Sequence, residues 1–153
     1  MKVAYYSPLP PERSGVADYS AMLLPELEQR LEIDVVRRGA RRRARRAARH
    51  ADLALYHVGN DPERHWWIVE ELRRRPGVVV LHDFVLHHLV AGMTIGRGDP
   101  DGYLDAMQQE AGAVGRMLTN RRKWCAVGPG QCGSAALRSH WSSHLEFTMS
   151  ILR

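Results

Sequence analysis

An α/β domain built on a parallel sheet is what this sequence predicts, and three observations carry the prediction. Short apolar runs alternate with stretches of helical periodicity through residues 1–120. One run, Val78 to Leu81, is apolar without interruption, as a strand covered on both faces must be. Two acid–proline pairs, Asp61-Pro62 and Asp99-Pro100, stand where helices would begin. An aspartate there accepts a hydrogen bond from an early helical amide, and proline has no amide hydrogen to waste. Strand, helix, strand in repeated order joins neighbouring parallel strands by crossovers, which gives a Rossmann-like sheet with helices on both faces.

The elements follow in order. Lys2 to Ser7 reads as the first strand. The loop Pro8 to Gly15 comes next, stiffened by Pro8, Pro10 and Pro11. A helix is predicted over Val16 to Leu31, with Val16, Tyr19, Leu23, Leu24, Leu27 and Leu31 on one face. Pro25 should kink or shorten it. Ile33 to Val36 is a short second strand, residues 39–50 an arginine-rich, partly helical connection, and Leu53 to Val58 the third strand. The helix capped by Asp61 carries Trp66 and Trp67 beside Ile68, Val69 and Leu72, a setting for packing more than for stacking on a sugar. Val78 to Leu81 is the fourth strand, Phe84 to Ala91 a short helix and Gly92 to Gly98 a loop. The helix after Asp99-Pro100 sets Leu104, Met107, Ala111, Val114 and Leu118 at helical spacing.

From about Arg121 the texture changes. Both cysteines and most serines lie beyond it, with Glu146 the one acidic residue. Residues 121–153 therefore read as an irregular subdomain or as a tail translated out of frame. The joint change of pattern and composition favours the second. The string GPGQCG at 128–133 has dinucleotide-fingerprint spacing, but it follows no strand and contains a proline.

The 153 residues are 44% hydrophobic and 25% charged, the make-up of a globular domain with a real core. No apolar run reaches membrane-span length, the N-terminus lacks a signal-peptide pattern, and two cysteines make no disulfide framework. These features point to the cytoplasm. The net charge of +5 is concentrated in RRGARRRARRAARH, residues 37–50. A solvated helix or loop accounts for that run. It has neither stacking aromatics nor a reader motif, so nucleic acid is not expected as a partner, while weak contact with an anionic membrane face is compatible with it.

In parallel sheets, ligands sit beyond the carboxyl ends of the strands. Three segments reach that edge here: the Pro8–Gly15 loop, Gly59-Asn60-Asp61, and His82-Asp83. A glycine between strand and helix lets backbone approach a ligand, and a helix N-terminus offers amides to an anion. A histidine at a strand's end can donate a hydrogen bond or act as a base, and an adjacent aspartate can bind a hydroxyl or orient the ring. Either residue could equally well cap the next helix. His87 and His88 complete an H-D-x-x-x-H-H string whose spacing is poor for a metal set.

The segments YYSPLPPERSGVADYS, LALYHVGNDPERH and VVVLHDFVLHHLVAG, taken in that order, resemble the N-terminal domain of GT-B glycosyltransferases of the family-4 type. The resemblance covers roughly residues 1–120. It implies half of a two-domain fold in which this domain holds the acceptor and a second domain holds a nucleotide-sugar donor. It further implies transfer with retention of anomeric configuration, without metal or other cofactor. By resemblance, His82 matches the cleft histidine that contacts the transferred sugar and is the residue expected to be catalytic. Ser14 and Gly15 match the loop nearest the donor phosphates, and Asn60 and Asp83 match cleft-lining positions. The implied partners are a nucleotide sugar, a sugar or lipid-linked acceptor, and a chain or segment supplying the donor half. No donor-site glutamate pair is found here, so the chain alone is expected to turn over little. A non-catalytic binding module or a subunit of a split transferase is the alternative, and an arginine-rich nucleic-acid-associated protein a more distant one.

Overall fold

The computed structural model describes residues 1–39, Arg42, Arg46 and residues 49–121. The GPGQCG string, both cysteines and the rest of the segment from 122 lie outside the described residues. Contacts divide the chain into two units, Met1–Leu89 and Val90–Arg153.

The first unit is α/β, with a four-stranded, wholly parallel sheet flanked by helices. Its strands are β1 (Lys2–Tyr6), β2 (Glu32–Val36), β3 (Leu53–Val58) and β4 (Val78–Leu81), in the order β2-β1-β3-β4. β1 and β3 are central and most heavily buried, and Tyr5, Tyr6, Tyr56 and Val58 are wholly inaccessible. The register sets Tyr6 opposite both Val36 and Tyr56, and Val58 opposite Leu81. The carboxyl ends of the strands therefore finish at one edge.

Helix α1 (Gly15–Glu28) buries Ala17, Ser20 and Leu24. The expected face was one step away: Tyr19 is 45% exposed, while Ser20 is buried. The reason is a polar tie in the core. Tyr5 Oη donates to Ser20 Oγ at 3.0 Å, and Ser20 Oγ lies 2.7 Å from Ser7 Oγ. Two hydroxyls on β1 and its exit thus turn Ser20 inward and Tyr19 outward. Pro25 is accommodated near the end of the helix, which stops short of the expected Leu31. Tyr5, Leu9 and Leu24 form a core cluster with Leu27, Ile33, Val35 and Leu55 against it. In the arginine run, Arg42, Arg46, Arg49 and His50 are helical. The two arginines that open the run are held by the fold: Arg37 donates to Pro10 O and Arg38 to Glu63 O, both at 2.9 Å.

Helix α2 (Pro62–Arg74) begins as the Asp61-Pro62 pair predicts, with Asp61 Oδ1 accepting from Glu63 N at 2.9 Å. Trp67, Ile68, Val69 and Leu72 are buried. Trp66 is less so, with the Arg38 guanidinium 5.8 Å from its ring centre. Helix α3 (His87–Met93) starts later than expected, leaving Phe84 65% exposed ahead of it.

In the second unit a 3₁₀ turn (Ile95–Arg97) occupies the expected glycine loop, and α4 spans Pro100–Arg121. Asp99 Oδ1 accepts from Gly102 N at 2.8 Å, again as the acid–proline pair predicts. Leu104 and Met107 are buried as the spacing requires. The period then fails, because Gly112 adopts φ 59° and splits α4 in two. Val114, expected on the same face, is exposed. Among the described residues, no helix is long and apolar enough to cross a membrane.

Gly77, just ahead of β4, lies so close to β3 that a Cβ there would strike Ala54 O and approach Tyr56 Cε2 within 2.9 Å. Neither neighbour can move: one is backbone, and Tyr56 is held by its bond to Arg75 O at 2.7 Å. Gly77→Ala is expected to destabilise the protein by about 1–3 kcal/mol, the range for overpacking, read as a lowered urea midpoint.

Candidate functional site

The carboxyl edge of the sheet carries a cleft of about 340 Å³, lined by Ser14, Gly15, Val16, Asn60, Asp61, His65, His82 and Asp83. That is within the size range of small-molecule sites. All five residues singled out from sequence, Ser14, Gly15, Asn60, His82 and Asp83, meet there, drawn from three separate turns.

Each turn is fixed by a local device. At the first, Ser14 is the N-cap of α1, its Oγ accepting from Ala17 N at 3.1 Å. The first amides of a helix have no acceptor within it, and those of Gly15 and Val16 belong to residues lining the cleft. A Cβ on Gly15 would meet nothing within 4 Å, so internal packing does not demand glycine there. What its missing side chain does is leave room in the cleft.

At the second turn, Asn60 and Asp83 hold one another's segments. Asp83 Oδ2 accepts from Asn60 N at 2.7 Å. Asn60 Oδ1 in turn accepts from His88 N at 2.9 Å and Leu89 N at 3.2 Å, capping α3 from 28 residues away. This distant cap explains the late start of α3. Gly59 is required sterically, since a Cβ there would lie 2.9 Å from His65 Nε2 and 3.1 Å from Asp83 Oδ2.

At the third turn, β4 runs into His82, whose backbone N donates to Val58 O at 2.9 Å and so prolongs the β3–β4 ladder. The His82 ring lies beside that of His57, with His57 Nδ1 and His82 Nε2 2.9 Å apart. Tyr19 presents its ring edge-on to His82 at 5.0 Å between centroids, and Tyr5 lies 4.6 Å from the His57 ring. His65 Nδ1 donates to His57 O at 3.2 Å. A carbonyl can only accept, so neutral His65 has its hydrogen on Nδ1 and a lone pair on Nε2.

Burial shapes the electrostatics. His57, wholly inaccessible, has its pKa pushed down from 6.5 to about 4 by burial, with His82 and His65 opposing a charge there as well. Burial also lowers His65 and His82, though Asp83 resists the shift at His82. Asp61 is held below the ordinary carboxylate range: burial works against ionisation but is outweighed by the Arg64 guanidinium bound to it and by helix amides. The cleft thus combines imidazoles that are neutral at neutral pH with the Asp61 and Asp83 side chains and helical amides. Such a set can hydrogen-bond hydroxyl and phosphate oxygens. Among the described residues, no group of three histidine, cysteine, aspartate or glutamate side chains could hold a metal ion.

Three residues here were not expected from sequence. His57 and His65 were read as parts of a strand and a helix, and Tyr19 as core. A titratable side chain inside the apolar run LALYHV was the available signal for His57. No protein-family model, no curated protein and no solved structure matches this chain.

Asn60→Ala strips two amides of their acceptor while leaving the Asn60 N to Asp83 bond in place. It should cost about 1–2 kcal/mol, as loss of a helix cap does, in thermal or urea unfolding. The histidines give a second expectation. The unfolded chain protonates His57 near pH 6.5, but the folded chain does so only near 4. Between those values the unfolded state holds the extra proton, so stability is fully present above about pH 6.5 and is lost as pH falls toward 4. For a wholly buried imidazole the gap corresponds to on the order of 3 kcal/mol, with His65 and His82 adding in the same direction. Unfolding free energies measured at pH 7.5 and 4.5 should differ by at least that order, and the difference should shrink in His57→Asn.

Proposed function

We propose that this chain is the acceptor-side domain of a nucleotide-sugar-dependent glycosyltransferase, acting with a donor-side domain supplied by a further segment or a partner chain. The observation that carries the reading is the convergence of Ser14, Gly15, Asn60, His82 and Asp83, from three turns, on one cleft at the carboxyl edge of a parallel sheet. The resemblance of those same turns to family-4 N-terminal domains supports it independently of geometry. In this reading the α1 amides at Gly15 and Val16 face a donor phosphate, and Asp83 and His82 bind hydroxyls of the transferred sugar. Asn60 Oδ1 is committed to the α3 amides, so in this reading Asn60 acts through the backbone it holds and through its Nδ2 hydrogens. Transfer proceeds with retention and uses the nucleotide sugar as substrate, with the donor domain contributing most of the donor contacts.

The reading is tested by titrating the ¹⁵N-labelled chain with UDP-glucose, GDP-mannose, ADP-glucose and free hexoses. The amides of Gly15, Val16, Asn60 and His82 should shift, with weak affinity and negligible release of nucleoside diphosphate. His82→Ala should weaken the response about tenfold, the equivalent of one good hydrogen bond, while preserving the rest of the spectrum. No shift at these amides with any of the sugars overturns the reading. Sustained release of nucleoside diphosphate by the isolated chain overturns its half-cleft form.

A further inference from the structure

His57 belongs to no cleft wall, yet it is buried directly against a residue that does. Its Nδ1 is 2.9 Å from His82 Nε2, and its Nε2 is buried without a hydrogen-bond partner among the described residues. Two neutral arrangements are open to the pair. If His82 Nε2 carried the hydrogen, His57 would accept it at Nδ1 and would have to carry its own hydrogen on Nε2. That would strand an N–H donor in the core, a rare and costly situation. If His57 Nδ1 carries the hydrogen, only a lone pair is stranded at Nε2. The second arrangement is the better satisfied one, and the His57 ring also has Tyr5 at 4.6 Å and Tyr19 at 5.9 Å as aromatic neighbours.

We infer that His57 is a positioning residue: its Nδ1–H, donated to His82 Nε2, fixes His82 as the Nδ1–H tautomer and so makes it a hydrogen-bond donor to the cleft. Free imidazole side chains can take either tautomer, and the hydrogen bond made by one nitrogen decides the state of the other. With Nε2 occupied, the nitrogen left to His82 for a ligand is Nδ1, and that nitrogen bears a hydrogen. His82 then selects an oxygen with a lone pair to offer, such as a sugar hydroxyl or a phosphate oxygen, and is not poised to remove a proton. The low proton affinity of the buried His57 keeps it neutral at physiological pH, so this arrangement holds across the ordinary range. That His82 serves a sugar rests on the proposed function, but the tautomer itself does not.

The experiment is a long-range ¹H–¹⁵N correlation spectrum of the ¹⁵N-histidine-labelled full chain at pH 7.5. His82 is expected to show a hydrogen-bearing Nδ1 and a bare Nε2, and His57 the same pattern. In His57→Leu the donor is gone, and the His82 pattern should lose its bias to Nδ1–H and shift toward Nε2–H. In His57→Asn the side-chain amide occupies the position of Nδ1, so its N–H should restore the original His82 pattern. A merely structural role for His57 would leave the His82 tautomer unmoved in the leucine variant. Should the leucine variant not fold, the unaltered protein still decides: a His82 that carries its hydrogen on Nε2 overturns the inference. Failure of the sugar titration with the tautomer intact would instead remove the sugar reading and leave His57's role standing.

Discussion

The backbone ladder joining β1, β3 and β4 is what lets three short turns act as one site. Parallel pairing with Tyr6 opposite Tyr56, and Val58 opposite Leu81, brings the strands to an end at a common edge. The His82 amide adds one more rung by donating to Val58 O. A strand slipped by one residue would send every side chain to the other face. His57 would then leave the core, and the pair it forms with His82 could not exist. The register is held by the wholly buried tyrosines of the two central strands and by the close approach at Gly77.

On that frame the cleft is assembled by polar groups that serve the fold first. Ser14 caps α1, Asp61 caps α2, and Asn60 caps α3 while Asp83 holds the Asn60 amide. Residues nominated as ligand contacts are thereby divided. Gly15 and His82 have capacity beyond their structural part, whereas the Asn60 Oδ1 is committed to α3 and only its Nδ2 hydrogens remain. The neutral state of the histidines belongs to the same economy of burial. A charge at His57 would be opposed both by its surroundings and by its two imidazole neighbours.

How much of this was legible in the sequence follows from the range of the forces involved. The bounds of Leu53–Val58 and Val78–Leu81 were read to the residue, because parallel strands show as short apolar runs. The expectation that Val78–Leu81 is covered on both faces fails: it is an edge strand, with Val78 47% and Leu81 40% exposed. The starts of α2 and α4 were legible because aspartate and proline act within one turn. The start of α3 was not, because its cap lies in another loop. The α1 face was misjudged because Tyr19, half apolar, scored as core, and because Ser20 is drawn inward by hydroxyls on a strand. The α4 period gave no warning of the break at Gly112, since glycine is tolerated in helices and only its backbone angle shows the split. The convergence of the five site residues was legible because strand ends are easy to locate. The pairing of His57 with His82 was not, since a single sequence does not say which residue of β3 lies beside the end of β4.

Tyr19 has a use that its misread position hides. Its ring stands edge-on to His82 at 5.0 Å and is 45% exposed, so it borders the site without being sealed into the core. An aromatic ring carries a circulating π current whose field falls off steeply over a few ångströms. The carbon-bound protons of His82 sit within that field and inherit a chemical shift set by the distance between α1 and the end of β4. The protein thus contains its own ruler across the cleft. Any occupant that spreads or tightens the two segments writes its effect directly into the histidine spectrum, with no label added.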